Sequence, residues 1–209
     1  MGVVEWGVVK QEIKYLVGID EAGRGPLAGP VAVGAVAMSS LPVGRQGSVL
    51  DSRVRDSKQL SAKQRDEWYQ WLKNQQKQKK LKFAVALVSE KVIDKIGINK
   101  AIMLGIKRCL IKLKIQSSKA KILLDGGLKA PEEFKNQKTI IKGDEKESVI
   151  ALASIAAKVT RDRKMLTLHK HYPAYDFARH KGYGTAAHYL ALKTHGPCPL
   201  HRRTFIKNL

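Results

Sequence analysis

Two adjacent carboxylates, Asp20 and Glu21, close the apolar run 15–19 and are followed at once by the turn Gly23-Arg24-Gly25. Acids at a strand end are a common way to hold a divalent cation, because hard cations take oxygen ligands. Glycines let a backbone approach a ligand closely, and an arginine between them fits a phosphate or a nucleic acid. Side chains alternate along a strand, so both acids can serve one site only if the strand ends there and the chain turns. On these residues alone, a strand with a polar surface turn accounts for the pattern equally well. A third carboxylate, Asp125, closes the apolar run 121–124 and precedes Gly126-Gly127. Asp162 lies four residues after Lys158 and seven after Ile155, on one face of a predicted helix, and by itself reads as a boundary ion pair. If all four acids converge, their repulsion raises some of their pKa values unless cations neutralise them. Four acids without a dedicated His or Cys ligand suit Mg2+ or Mn2+. Two such ions ~3.5–4 Å apart clamp the attacking and leaving oxygens of a phosphodiester.

The elements that must carry these residues follow from periodicity. Runs 15–19 and 31–38 are strand-like and flank the acidic turn, while residues 43–55 read as a polar loop. Ser61 and Gln64 form a capping box, which starts a helix carrying Trp68, Trp71 and Leu72. Residues 83–88 read as a buried strand. Ile102, Ile106, Leu110 and Leu113 recur at helical spacing. Residues 121–124 and 139–141 are further strands. The acidic stretch 144–147 caps a long helix that contains Asp162, Thr185 caps a short one, and Gly196-Pro197 stops it. Strands first, then strands alternating with helices, predict an α/β fold with a mixed sheet. Acids at the ends of its strands lie where open α/β sheets bind ligands.

Charge indicates the partner. The chain holds 39 Lys plus Arg against 18 Asp plus Glu, a net +21, which attracts a polyanion and makes binding salt-dependent. From residue 163 to 209 there are nine basic residues, one acid and all six histidines. That segment is the expected electrostatic footprint, with Arg202 and Arg203 expected on phosphates. Two cysteines make no disulfide framework, and no apolar stretch is long enough to span a bilayer. A cytoplasmic protein that engages no membrane is expected. His195, Cys198 and His201 have metal-like spacing but lack the fourth ligand of a structural zinc site.

Six segments, in order, resemble bacterial ribonuclease HII. They are Gly18-Ile-Asp-Glu-Ala-Gly-Arg-Gly-Pro26 with Ala28-Gly-Pro-Val31; Asp56-Ser-Lys-Gln-Leu60; Leu124-Asp-Gly126; Gly143-Asp144 with 153–162; His180-Lys-Gly-Tyr-Gly-Thr185; and Gly196-Pro197 with His201-Arg-Arg-Thr-Phe205. The resemblance implies an α/β ribonuclease H-like fold, a mixed five-stranded sheet flanked by helices with a small helical C-terminal extension. On that basis residues 1–165 are the catalytic core and 166–209 the basic extension packed on it. It implies a metal-dependent endoribonuclease acting on RNA/DNA hybrids and on duplex DNA with embedded ribonucleotides. The cut falls 5′ of the ribonucleotide, by two-metal catalysis, and leaves 3′-OH and 5′-phosphate ends. Asp20, Glu21, Asp125 and Asp162 become the metal-binding carboxylates for Mg2+ or Mn2+. Gly23, Arg24, Gly25 and Tyr183 become the reader of the RNA–DNA junction. Lys58, Ser154 and Lys181 are expected on phosphates, and Lys158 on a phosphate or paired with a carboxylate. A monomer is expected. Two rivals stand beside this reading: a ribonuclease HIII-like hybrid nuclease, and a basic hybrid- or RNA-binding protein without catalysis. The second gains nothing from four acids facing a polyanion.

Overall fold

In the computed structural model, residues 13–39, 54 and 60–207 are described. Strand β1 (Tyr15–Ala22) sits at the centre of a five-stranded sheet. Its antiparallel neighbour β2 (Val31–Ser39) pairs in turn with the antiparallel edge strand β3 (Leu81–Val88). On its other side lie β4 (Ala120–Asp125) and then β5 (Gln137–Ile140), both parallel. The sheet is therefore mixed, in the order β3-β2-β1-β4-β5.

Helix α1 (Ala62–Lys77) begins at the expected capping box: the Gln64 N–H donates to the Ser61 hydroxyl at 3.2 Å, and the Ser61 N–H to Gln64 Oε1 at 2.8 Å. Helix α2 (Glu90–Ile96) was not expected; at seven residues it is too short to show a clear period. Helix α3 (Ile98–Leu113) buries the expected stripe. The acidic stretch at 144–147 forms its own short helix, α4 (Gly143–Lys146). The chain then leaves helical geometry at Glu147, and the long helix α5 (Ser148–His171) starts afresh. Helix α5 runs unbroken past residue 165. After it come α6 (Phe177–His180) and α7 (Ala186–His195), the latter capped by Thr185. No helix among the described residues is long and apolar enough to cross a membrane. The expected loop at 43–55 falls, apart from Val54, outside the described residues.

Two apolar clusters cover the two faces of the sheet. One joins Val17 and Ile19 to α2 and α3; the other joins Val36 and Leu123 to α1 and α5. Helix α5 lies unusually close. A Cβ built on Gly18 would stand 2.3 Å from the Val149 carbonyl, and one on Gly34 would stand 2.2 Å from the Ala153 carbonyl. Glycine at both positions lets helix backbone rest directly on sheet backbone. A third cluster, with Ala28, Met165, Tyr175, Phe177, Cys198 and Leu200, fastens the C-terminal segment to the start of the chain.

Candidate active site

The parallel pairing of β1 with β4 stops at Ile19 and Leu124, while β1 continues alongside β2 as far as Ala22. Asp20 and Glu21 are thus still in a strand, contrary to the expectation that the strand ends before them. The neighbouring strand ends instead, and its last residue is Asp125. A cleft of about 390 Å³ opens there. It is lined by Asp20, Glu21, Gly23, Arg24, Gly25 and Asp125, and by Ser154, Lys158 and Tyr183 from the later part of the chain. Arg65 of α1, which nothing in the sequence singled out, completes the wall.

Asp20 shares the sheet face of Gly18 and so looks toward α5, where the Ser154 side chain hydrogen-bonds its carboxylate. Its Oδ1 also accepts the Glu21 N–H at 2.7 Å. Burial pushes the Asp20 carboxyl up to about 8; the Ser154 hydrogen bond works in the other direction, and the negative charges of Glu21 and Asp125 add to the rise. Glu21 turns the opposite way and pairs with Arg24 Nε at 2.9 Å, while Arg24 Nη1 donates to Asn99 Oδ1 at 3.3 Å. Asp125 Oδ1 accepts the Gly143 N–H at 2.6 Å.

Asp162 meets the cleft through Lys158, which lines it: its Oδ1 lies 3.2 Å from Lys158 Nζ, an ion pair without hydrogen-bond geometry, one turn along α5. This is the boundary ion pair that its spacing allowed. Lys181 stands apart: its ammonium donates to the Ala178 carbonyl. Lys58 lies outside the described residues.

Among the described residues, no three His, Cys, Asp or Glu side chains are drawn together as a finished ligand cage. The donor chemistry nonetheless fits a hard divalent cation. Every candidate ligand is a carboxylate, and a buried acid with a pKa near 8 needs a proton or a cation at neutral pH.

The Gly23–Gly25 turn rests on two buried arginines, Arg161 and Arg202. Arg202 donates from Nε to the Gly29 carbonyl at 3.0 Å, from Nη1 to Arg24 at 2.8 Å and from Nη2 to Gly23 at 2.7 Å. It is fully buried, so the expectation that it meets phosphate does not hold; Arg203 beside it is exposed. Burial, with the nearby charge of Arg161, brings the Arg202 guanidinium down to about 9. Arg161 donates to the Pro30 carbonyl at 2.9 Å and to Ala28 at 3.3 Å. A Cβ on Gly23, whose φ is 89°, would come within 1.9 Å of Arg161 Nε. The glycine is therefore required from beneath, by the arginine. The Tyr183 ring lies over the same guanidinium, 5.8 Å from centroid to Cζ, and is 43 % exposed.

Three of the six histidines are buried behind Tyr183. His201 Nδ1 accepts the Cys198 N–H at 2.9 Å, so its proton is on Nε2, 3.0 Å from His188 Nε2. His188 in turn donates from Nδ1 to the Tyr183 carbonyl at 2.9 Å. His180 stacks on His188 at 4.4 Å and accepts the Gly182 N–H on Nδ1. Burial lowers all three pKa values, that of His201 to about 4.

This neutral array has a pH consequence. Because the folded pKa values lie below the ordinary 6.5, the unfolded chain takes up protons first as pH falls. The stability they contribute is full above 6.5 and is lost on the way down toward 4. Asp20 titrates in the opposite sense, so the measurement belongs in an Asp20→Asn background. There the melting temperature is expected to fall between about pH 7.5 and about pH 5. An unchanged melting temperature would contradict the neutral array.

Comparison with known proteins gives a concordant result. The family model described as ribonuclease HII matches residues 17–208. The chain is 41 % identical over 206 residues to a ribonuclease HII of Caldicellulosiruptor bescii, covering 99 % of this chain and 93 % of the relative. It is 46 % identical over 193 residues to that of Endomicrobium trichonymphae, covering 91 % and 84 %. Among solved structures it resembles the ribonuclease H2 of Pyrococcus horikoshii, with a TM-score of 0.69, 28 % identity, and coverage of 92 % of this chain and 94 % of that one.

Proposed function

The chain belongs to the ribonuclease HII family and is a nuclease of the ribonuclease H type, and from that premise we propose what the cleft does. It hydrolyses the RNA strand of RNA/DNA hybrids and cuts 5′ of ribonucleotides embedded in duplex DNA, leaving 3′-OH and 5′-phosphate ends. The observation that carries this reading is that one cleft is lined both by the acids Asp20, Glu21 and Asp125 and by the Gly23-Arg24-Gly25 turn with Tyr183.

Asp20, Glu21, Asp125 and Asp162 are the residues that would hold Mg2+ or Mn2+, which in a two-ion arrangement supplies Lewis acidity to the attacking water and the departing 3′-oxygen. Ser154 fixes the Asp20 carboxylate. The Gly143 N–H fixes that of Asp125. Lys158 and Arg65 offer positive charge to the scissile strand from the cleft wall. Lys58 and Lys181 are further candidates for phosphate contact. At the turn, backbone N–H groups can meet the 2′-OH that distinguishes RNA from DNA. The Tyr183 ring can lie against the neighbouring sugar on the DNA side, where that hydroxyl is missing.

The test is cleavage of three duplexes, containing one ribonucleotide, one 2′-O-methyl nucleotide and none. Magnesium-dependent cutting of the first alone, on the 5′ side of the ribonucleotide, is expected. Efficient cutting of the all-DNA duplex would sink the reading.

A further inference from the structure

We infer that residues 198–202 form a rigid spacer that sets the separation of the two reading elements, Gly23-Arg24-Gly25 and Tyr183, with Arg202 and His201 as its positioning residues. The inference rests on the proposed reading of the cleft and adds to it a part of the chain that touches neither the metal-binding acids nor the substrate.

The spacer's connections run both ways from two adjacent residues. Arg202 holds the carbonyls of Gly23 and Arg24. In a trans peptide the C=O and N–H point in opposite directions. Drawing these two carbonyls inward therefore turns the N–H groups of Arg24 and Gly25 away from the buried guanidinium. Both residues are exposed and line the cleft. Among the described residues, neither N–H has a protein acceptor. On the proposed reading of the cleft they are the donors that meet a substrate hydroxyl.

From His201 the other arm runs through His188 to the Tyr183 carbonyl, with each tautomer set by its neighbour. The Tyr183 backbone is fixed twice more, by its N–H to the His180 carbonyl and by the Thr185 N–H to its own. Backbone bonds tie the arms together. Leu27 donates its N–H to Gly182 at 2.8 Å and accepts that of Arg202 at 2.8 Å, and Ala28 pairs antiparallel with His201. The left-handed Gly182 (φ 85°) allows this contact, since a Cβ there would meet the Ala28 carbonyl at 2.5 Å. The two readers are thus fixed to one short segment, which makes their separation a property of residues 198–202.

A misplaced reader penalises substrates unequally. In a uniform hybrid a shifted Gly23–Gly25 turn still meets a 2′-OH at every step, whereas a duplex with one ribonucleotide offers that hydroxyl at one position only. The experiment compares kcat/KM on these two substrates, with a map of the cut positions, for wild type and Arg202→Lys. Lysine keeps the charge but cannot fork to three carbonyls. The ratio of single-ribonucleotide to hybrid cleavage is expected to fall by about tenfold, the loss of one well-aimed hydrogen bond, with cuts spreading to adjacent phosphates. The fraction of folded enzyme cancels in the ratio, so a merely destabilised protein would not move it. His201→Phe, which keeps the ring packed against Tyr175 and Phe177, cuts the other arm and should act in the same direction. Wild-type ratios and cut maps in both variants would overturn the inference while leaving the function standing. Failure of the wild-type enzyme to cut the single-ribonucleotide duplex would overturn the function, and this inference with it.

Discussion

Asp125→Asn is expected to reduce turnover by about a thousandfold or more, the equivalent of roughly 4 kcal/mol of transition-state stabilisation, while the protein stays folded. Both halves follow from the same carboxylate. Asp125 ends β4 at the mouth of the cleft, and its Oδ1 accepts the Gly143 N–H. An asparagine can present its own Oδ1 to that N–H, so the start of α4 keeps its anchor. The negative charge facing Asp20 is gone, and with it the charge that a divalent cation would meet. The measurement is single-turnover cleavage of a duplex with one ribonucleotide in saturating Mg2+, beside a thermal melt. Wild-type turnover by a folded variant would remove Asp125 from the catalytic set.

Tyr183→Ala is the second large effect expected, and it concerns discrimination. The backbone at 183 is held by three hydrogen bonds that an alanine keeps, so only the exposed ring is lost. Withdrawing the ring from water against a sugar is worth about 1–2 kcal/mol, so binding of the single-ribonucleotide duplex should weaken by roughly 5- to 30-fold. Metal affinity, read by calorimetry on the protein alone, should not change, because no candidate ligand is touched. Equal binding by wild type and variant would leave the ring without a role in reading the junction.

The sequence foreshadowed the part of this site that depends on strand ends and helix caps. Asp20 and Asp125 stand at the margins of apolar runs, and Ser61 with Gln64 announces α1; both signals are local and survive folding unchanged. The long-range part was hidden. Arg161 and Arg202 count as surface charge in any composition, since arginine is seldom buried without a partner. Here the partners are backbone carbonyls more than 130 residues away in the chain, which no local pattern encodes. The histidines show the same limit. Their place in the chain groups them with the basic footprint, yet three of them form a neutral interior array that comes together only when α7 and the C-terminal segment close on each other. Asp162 could be read either way from its spacing, and the structure pairs it with Lys158.

The contact of α5 with the sheet at Gly18 and Gly34 has an evolutionary corollary. The position of Ser154 relative to Asp20 is set by main chain against main chain, at the hard limit of atomic radii. There is no side chain in that seam to lengthen, shorten or branch. Neutral drift in the surrounding apolar clusters can therefore exchange one aliphatic residue for another without retuning the acid that the helix attends. The same seam is brittle at its two glycines, where the smallest possible enlargement pries the helix away. Tolerance across the core and intolerance at two positions are one property of this fold, and a saturation library scored for cleavage would display both in a single map.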